Sequence, residues 1–364
     1  MKPLICFVLL FLQLFFLDEA SGERSLKRFQ FQEHKLFPES FDYDRMHDRF
    51  LIGSEFHGTV SELGNDGSFQ EFIRDGEYAG KAGIAGVKVD SRRNRVIVTV
   101  ADTVGWSYGG VAAYNLDTKE RIYFARLEGV GVAEGEKFCA NDVAVNFKTG
   151  DVYVTNSFGN FLWKVTKDGI PSVFVKHESF TSQPVIVDND FNFVGFNGII
   201  YEPGKFVLAV QTNSGALFRV GVEDGSVHKV IIKGNQTFPM ADGMVLRDDG
   251  TLVVVSAEKI WLVGSASRWM AANVVDTVLL NASDVTTAAA VKRGATFVLH
   301  SYLSDMFAGQ SRDEFEIREI EFPAEVADSD PVWLIILIVV VVVAVSLWRF
   351  QMGHFYEQYR RKRV

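Results

Sequence analysis

The middle of the chain, from residue 38 to residue 322, consists of short apolar runs separated by polar turns, with almost no helical periodicity. Six runs rich in β-branched and aromatic residues recur there: RFLIGS, RVIVTVA, DVYVTNS, KFVLAVQ, TLVVVSA and TFVLHSY. Each follows a polar turn that is itself preceded by another short apolar run, and several units end in a third run, such as GTVSEL or NFLWKV. Runs of this length and composition between turn residues predict β-strands, so we expect an all-β domain.

The strand units repeat at intervals of 45 to 56 residues. A unit of three or four short strands with this period is typical of a β-propeller, in which each blade buries its faces against its neighbours. Six units predict a six-bladed β-propeller. The alternating segments 28–34 and 314–322 are expected to share the blade that closes the ring. A jelly roll is the alternative fold, but it does not account for the repeat.

One position of the repeat carries an acid or an amide in four of the six units. Two residues before the first apolar residue, the successive units have Glu39, Ala85, Asn141, Asn197, Asp242 and Thr287. We call these six positions the slots. The first strand of every blade lines the central channel, so the slots should converge at one end of it. Oxygen donors without His or Cys suit Ca²⁺ better than Mg²⁺ or Zn²⁺. A single Asn-Gly or Asp-Gly is otherwise an ordinary turn signal, so the metal interpretation depends on the repeat.

Both ends of the chain predict membrane targeting. Residues 1–22 have the apolar run and small-residue end of a secretory signal peptide, with an uncleaved signal anchor as the alternative. Residues 331–348 are apolar and uncharged, long enough to span a bilayer, and the tail 349–364 ends in a basic cluster. The positive-inside rule places that tail in the cytosol and residues 23–330 in the lumen or outside the cell. We therefore expect a single-pass type I membrane protein of the ER or plasma membrane, not a GPI-anchored protein.

Composition adds three constraints. The formal net charge of −9 argues against a nucleic-acid partner. Cys6 lies in the predicted signal peptide, so Cys139 has no intramolecular disulfide partner and is expected to be a small buried hydrophobe. The sequons at Asn235 and Asn281 are consistent with glycosylation in the secretory pathway.

Several segments of the repeat are specific enough to suggest a family: PESFDYD, NDVAV followed by VYVTNSFGNFLWKV, FNGI, and ADGM before a Gly-containing turn. Through them, the region from about residue 35 to residue 320 resembles the SMP-30/gluconolactonase/LRE-like superfamily of six-bladed propellers, especially the plant calcium-dependent phosphotriesterase-like branch. The resemblance implies that Glu39, Asn197 and Asp242 bind a catalytic divalent metal, and that Asn141 binds the metal or the substrate. Ser40 differs from the glycine that often follows the glutamate, and the soluble enzymes of the superfamily have no C-terminal anchor.

The turns between second and third strands should surround the same end of the channel, because the second strand returns to it. They contain Glu55, His57, Trp106, Tyr108, the 156–160 and 211–214 turns, and His300. We predict that His57, Trp106 and Tyr108 contact the substrate. His300 and His57 are candidate bases, Asp242 is an alternative base or nucleophile, and either histidine has a structural role as its alternative. The long turn ADTVGWSYGG is either a lid or an ordinary surface loop.

Three functional hypotheses follow. The first is a membrane-anchored, Ca²⁺-dependent hydrolase of lactones, esters or phosphoesters, with another divalent cation as the alternative cofactor and a small molecule as substrate. The second is a carbon–carbon bond-forming enzyme similar to strictosidine synthase, which relies on a pocket glutamate. The third is a tethered binding protein with a structural metal. The chain has no G-x-S-x-G, H-E-x-x-H or P-loop motif that would support a serine hydrolase, a zinc protease or a nucleotide enzyme.

Overall fold

The computed structural model describes residues 25–188, 191–280, 285–322 and 332–361. The predicted signal peptide and the sequon at Asn281 lie outside these residues. The chain divides into two compact units, with the boundary after Phe322.

The first unit begins with strand β1 and continues into three blades of four strands each. Strand β1 is Arg28–Gln32, and blade 1 contains β2 (Pro38–Asp44), β3 (Arg49–Ser54), β4 (Thr59–Gly64) and β5 (Phe69–Arg74). Blade 2 contains β6 (Gly83–Asp90), β7 (Arg95–Ala101), β8 (Gly109–Asn115) and β9 (Arg121–Arg126). Blade 3 contains β10 (Ala140–Val145), β11 (Val152–Asn156), β12 (Phe161–Val165) and β13 (Pro171–Val175).

The second half of the unit has the same plan. Blade 4 contains β14 (Phe196–Glu202), β15 (Phe206–Gln211), β16 (Leu217–Gly221) and β17 (Val227–Lys229). Blade 5 contains β18 (Ile231–Ile232), β19 (Ala241–Leu246), β20 (Leu252–Ser256), β21 (Lys259–Gly264) and β22 (Ala271–Leu279), with β18 added parallel to the outer strand β22. Blade 6 contains β23 (Thr286–Lys292), β24 (Ala295–His300) and β25 (Glu314–Ile320), with the short helix α1 (Leu303–Phe307) between β24 and β25.

The ring closes by joining the two ends of the unit in one sheet. Strand β1 pairs antiparallel with β25, with Arg28 opposite Arg318, so the prediction that residues 28–34 and 314–322 share a blade is confirmed. The first strands of the blades each contact the next around the ring, ending with β23 against β2. The six-bladed propeller predicted from the repeat is therefore confirmed, and the jelly roll is excluded.

Apolar clusters between neighbouring sheets hold the blades together. One of them joins blades 2 and 3 around Trp163, which is fully buried. The Trp163 indole N–H donates to the Val130 carbonyl at 2.7 Å, so the single polar atom of this large side chain is paired. Such packing explains why β-branched and aromatic residues recur at the same position of each repeat.

The second unit contains helix α2 (Val332–Arg361). Its segment Leu337–Tyr356 has a mean hydropathy of 1.7 and is long and apolar enough to cross a membrane. The helix does not end at Trp348, where the sequence predicts the transmembrane segment to end, but continues to Arg361.

Candidate functional site

Every slot residue lies in a β-bulge of its first strand. The pairing of first and second strands shifts register at the same place in all six blades, between Pro38 and Phe41, Ile84 and Gly86, Ala140 and Val143, Phe196 and Ile199, Ala241 and Met244, and Thr286 and Ala288. A bulge leaves a residue unpaired and turns its side chain away from the regular alternation of the strand. The repeated sequence position is therefore a repeated backbone irregularity at one end of the central channel.

The glycines that follow three of the slots serve close packing of the blades. A Cβ at Gly198 would lie 2.3 Å from the Asp242 carbonyl oxygen, and one at Gly243 would lie 2.6 Å from the Thr287 carbonyl oxygen. Gly86 is equally confined, by the Asn141 carbonyl oxygen at 2.7 Å. Asp242-Gly243 is thus a bulge pressed against the next blade, and the Asp-Gly pair does not form a hairpin turn here.

Threonine hydroxyls on neighbouring strands fix the backbone of these bulges. Thr155 Oγ1 donates to the Asn197 carbonyl at 2.7 Å, and Thr212 Oγ1 donates to the Ala241 carbonyl at the same distance. Thr212 Oγ1 also accepts a hydrogen bond from Asn197 Nδ2 at 3.1 Å. The Thr287 hydroxyl donates to the Glu39 carbonyl and so completes the ring between blades 6 and 1. These bonds hold the slot side chains on rigid backbone.

Three of the four predicted metal ligands meet at one cavity on the axis. Glu39, Asn197 and Asp242 all line it, together with Asp142 and the Thr287 slot. Its volume of ≈ 20 Å³ is enough for roughly one water-sized species. Asn141 lies in the equivalent bulge of blade 3 but is not among the lining residues. Side chains up to about 200 residues apart along the chain are thus brought together by the pseudo-symmetry of the ring.

The buried carboxylates of this region raise one another's pKa. The pKa of Glu39 is raised well above its usual range by burial first, and then by Asp242, Glu55 and Asp142. Burial also raises the pKa of Asp242 strongly, with a contribution from Asp142, while a hydrogen bond with the Asn197 amide opposes the shift. Burial raises the pKa of Asp142 to about 6, although the backbone N–H groups of Ile199 and Val143 favour its ionised form. Burial and mutual repulsion thus disfavour the ionised forms of these carboxyl groups, and Lys88 partly opposes the shift only at Asp142.

The donor set fits a hard cation. Within the part of the chain that the structure describes, no three His, Cys, Asp or Glu side chains form a metal-binding group. The slots instead offer two carboxylates, Glu39 and Asp242, together with the amides of Asn197 and Asn141. Asn141 donates from Nδ2 to Ser157 Oγ at 3.1 Å. Its Oδ1 is buried and has no hydrogen-bond partner among the described residues. An amide oxygen without a partner and the two slot carboxylates are oxygen donors of the kind that Ca²⁺ would accept.

Glu55 is a notable residue of the site to which the sequence assigned no role. It directly follows β3, and neither of its carboxyl oxygens has a hydrogen-bond partner at normal distance among the described residues. A Cβ at Gly83 would lie 2.6 Å from the Glu55 Cδ, so only glycine leaves room for the carboxyl group. Burial raises the pKa of Glu55 to about 7, with a weaker opposing interaction from Thr103. No repeat position marks Glu55, because the corresponding residues of the other blades are of different types.

Three of the predicted catalytic and substrate-binding residues lie away from the cavity lining. His300 is fully buried at 0 % exposure inside blade 6, with its ring 6.4 Å from that of Tyr302. His57 uses Nε2 in a 2.7 Å hydrogen bond to the His34 carbonyl. Tyr108 packs on the core of blade 2 with the Arg126 guanidinium 5.4 Å from its ring centre. Their proposed roles receive no support from these positions.

Trp106 lies in a turn that the backbone and Asp102 hold in place. Asp102 Oδ1 accepts hydrogen bonds from the N–H groups of Val104 and Gly105 at 3.0 and 2.9 Å. The Trp106 N–H donates to the Asp102 carbonyl at 3.0 Å, and Trp106 adopts a left-handed conformation with φ of 56°. The indole is thereby turned towards Phe158.

At the other sequon, Asn235 is exposed at the end of a short 3₁₀ segment, Lys233–Asn235.

Comparison with known proteins supports the fold at low sequence identity. No protein-family model matches the chain, and no curated protein is significantly similar to it. The solved structures that it resembles include the major Malassezia sympodialis allergen Mala s 1, with 17 % identity, a TM-score of 0.67, and coverage of 81 % of this chain and 96 % of the allergen. A gluconolactonase from Xanthomonas campestris has 12 % identity, a TM-score of 0.55, and coverage of 82 % and 91 %. A streptogramin B lyase has 10 % identity, a TM-score of 0.50, and coverage of 81 % and 98 %.

These likenesses establish a propeller fold that includes gluconolactonase-like structures among its neighbours. They do not extend to a residue-level function, because an allergen, a gluconolactonase and a lyase share the same architecture. Function is therefore inferred from the residues of the site.

Proposed function

We propose that this protein is a divalent-metal-dependent hydrolase of lactones, esters or phosphoesters. The observation that carries the proposal is the convergence of Glu39, Asn197 and Asp242 on one axial cavity. The gluconolactonase among the structural neighbours is consistent with the same class of reaction. Hydrolysis in this class cleaves the C–O or P–O bond with one water molecule: the water oxygen binds the carbonyl carbon or the phosphorus, and a proton goes to the leaving alcohol oxygen, which stays in the same molecule when the substrate is a lactone.

The metal in this proposal is Ca²⁺, held by Glu39, Asn197 and Asp242, with Asn141 as a fourth ligand or as a substrate contact. When bound, the ion would supply polarisation of the substrate oxygen or activation of a water molecule. Carboxylates that are buried side by side destabilise the folded protein unless their charge is compensated. The carboxylates of Glu39 and Asp242 therefore lower the stability of the folded protein without a cation and would raise it when a cation is bound.

The chain's own contribution is to hold its oxygen atoms in position. Thr212 fixes the Asn197 amide from one side, and Thr155 fixes the Asn197 carbonyl from another. Ser157 orients the Asn141 amide, which leaves its Oδ1 as the acceptor that faces no donor. Asp242 is both a ligand and the predicted reactive carboxylate. His300 has no part in this proposal because it is fully buried outside the cavity lining.

The proposal includes a membrane anchor. Helix α2 would span the bilayer, with the propeller on the lumenal or extracellular side and the basic C-terminus in the cytosol. The exposed Asn235 would be available for glycosylation on that side.

The test is turnover of generic lactones and aryl esters by the full chain in detergent, with calcium and with a chelator. We expect activity that disappears on chelation and falls at least about 100-fold in Glu39→Gln, since a metal ligand is lost. Glu223→Gln is the control, because Glu223 is 69 % exposed and pairs with Lys205 on the surface. Turnover indifferent to both chelator and Glu39→Gln would refute the metal hydrolase. Calcium-dependent stability without any turnover would instead favour the tethered binding protein.

A further inference from the structure

An aromatic cluster stands at the slot end of the propeller. Trp106 and Phe158 have ring centres 5.0 Å apart, and Phe158 stacks on Phe193 at 5.2 Å. The Trp106 and Phe193 rings are 6.3 Å apart. The three rings come from the turns of blades 2 and 3 and from the connection between blades 3 and 4. We call Trp106, Phe158 and Phe193 the aromatic cluster.

The aromatic cluster is continuous with the ring of slots. Trp106 and Phe158 pack on Ala85, Ala101 and Cys139, and Ala85 is itself the slot residue of blade 2. Cys139 lies two residues before Asn141, the slot residue of blade 3. The base of the cluster therefore lies beside the slots of blades 2 and 3.

The outer end of the cluster is open to solvent. Phe193 is 44 % exposed, although aromatic side chains of this size are usually covered. Two residues before it in the chain, the Phe191 ring contacts that of Phe307 on helix α1, with centres 5.9 Å apart, and Phe307 is 53 % exposed. Aromatic surface thus extends from blade 2 towards blade 6 at the end of the propeller that holds the slots.

The backbone groups of Trp106 and Phe158 that could bind a polar ligand are already engaged. The Trp106 N–H bonds to Asp102, and the Trp106 carbonyl accepts from the Phe138 N–H. The Phe158 N–H donates to Asn156 Oδ1 at 3.2 Å. A ligand with many hydroxyl groups would lose its hydrogen bonds to water here without replacing them, which strongly disfavours it.

We propose that the aromatic cluster binds an apolar acyl or aryl group of the substrate, so that the site favours apolar lactones and esters over polyhydroxylated sugar lactones. This inference rests on the proposed hydrolase function and specifies its substrate class. The reacting group would lie at the slots, and the apolar group would extend along Trp106 and Phe158 to Phe193. Each buried methylene then strengthens binding of the substrate in the transition state.

The experiment measures kcat/KM of the full chain in detergent for γ-lactones with alkyl substituents of increasing length, and for gluconolactone. We expect kcat/KM to rise about three- to fourfold per methylene until the cluster is covered, and to be lowest for gluconolactone. Phe193→Ser should flatten the rise, so that the ratio of variant to wild-type kcat/KM falls as the alkyl chain lengthens. The ratio of variant to wild type at each chain length cancels partition of the lactone into micelles.

Phe56→Ser is the matched control. Phe56 is 46 % exposed, but it packs on Phe37 and His57, outside the cluster, so its loss should not change the chain-length dependence. Hydrolysis with no rise along the series, or with a rise that Phe193→Ser does not reduce, would overturn the substrate class and leave the proposed hydrolase intact.

A second readout does not depend on turnover. A photoreactive octyl diazirine, with peptides mapped by mass spectrometry, should label the segment that contains Phe193 in the wild type and label it less in Phe193→Ser. If no lactone is hydrolysed but this labelling occurs, the hydrolase fails while the apolar surface stands as a ligand site. Labelling of the propeller away from the aromatic cluster would overturn the inference.

Discussion

Substituting Glu55 with Gln should change how the stability of the protein depends on pH. Burial raises the pKa of Glu55 from the reference value of 4.5 to about 7. The folded state therefore binds more protons than the unfolded state between these two values, so its stability falls as pH rises through this window. The penalty is absent below about pH 4.5 and fully present above about pH 7. A shift of this size corresponds to about 3 kcal/mol.

The assay is urea unfolding of the metal-stripped full chain at pH 5 and pH 8, followed by tryptophan fluorescence. The Gln side chain also buries polar atoms, so the change in unfolding free energy at one pH combines the loss of ionisation with the burial of the amide. The change between the two pH values isolates ionisation, because the other costs cancel. We expect Glu55→Gln to gain about 2–3 kcal/mol relative to wild type on going from pH 5 to pH 8, and Glu223→Gln to gain almost nothing. An identical pH dependence for wild type and Glu55→Gln would refute the claim that Glu55 is ionised at a cost.

Two further predictions concern the framework of the slots. Gly198→Ala should destabilise the protein by roughly 1–3 kcal/mol in thermal or urea unfolding, because the new Cβ meets a backbone carbonyl at 2.3 Å. Gly76→Ala is the control, because a Cβ there would have nothing within 4 Å, and it should have no comparable cost. Equal destabilisation by the two substitutions would contradict the close packing of Gly198 against the next blade. Thr212→Val should cost about 1–3 kcal/mol and also weaken calcium binding, since the Asn197 amide loses its partner. Thr286→Val is the control: it removes a similar hydrogen bond from a hydroxyl to a carbonyl and should lower stability without changing the calcium affinity measured by calorimetry. An equal loss of calcium affinity in both variants would contradict a positioning role for Thr212.

The fold could be predicted because the propeller repeats its signals. Each blade has the same succession of apolar run, polar turn and apolar run, and closure by residues 28–34 and 314–322 followed from their alternation. The slot residues were found for the same reason, since a bulge that recurs in every blade leaves a recurrent position in the sequence. Asp242-Gly243 alone predicts a turn, and only comparison with the other units indicates a bulge.

The remaining part of the site could not be read from the sequence, because it is not repeated. Glu55 is significant through the low polarity of its surroundings and through the room left by Gly83, neither of which has a sequence signature. His57 and His300 were candidates by residue type, but the structure commits His57 to the His34 carbonyl and buries His300. The stacking of Phe193 on Phe158 joins residues of different segments, which local pattern does not predict.

The central claim, that the axial slots bind one divalent cation, is tested most directly by calorimetric titration of calcium into the metal-stripped full chain. We expect one site in the wild type and no binding in the Glu39→Gln/Asp242→Asn double variant. That variant should also be at least as stable as the metal-stripped wild type, since two buried carboxyl groups whose ionised forms are disfavoured become neutral amides, which shows that lost binding is not lost folding. Equal calcium affinity in a folded double variant, or no binding by the wild type, would contradict the claim.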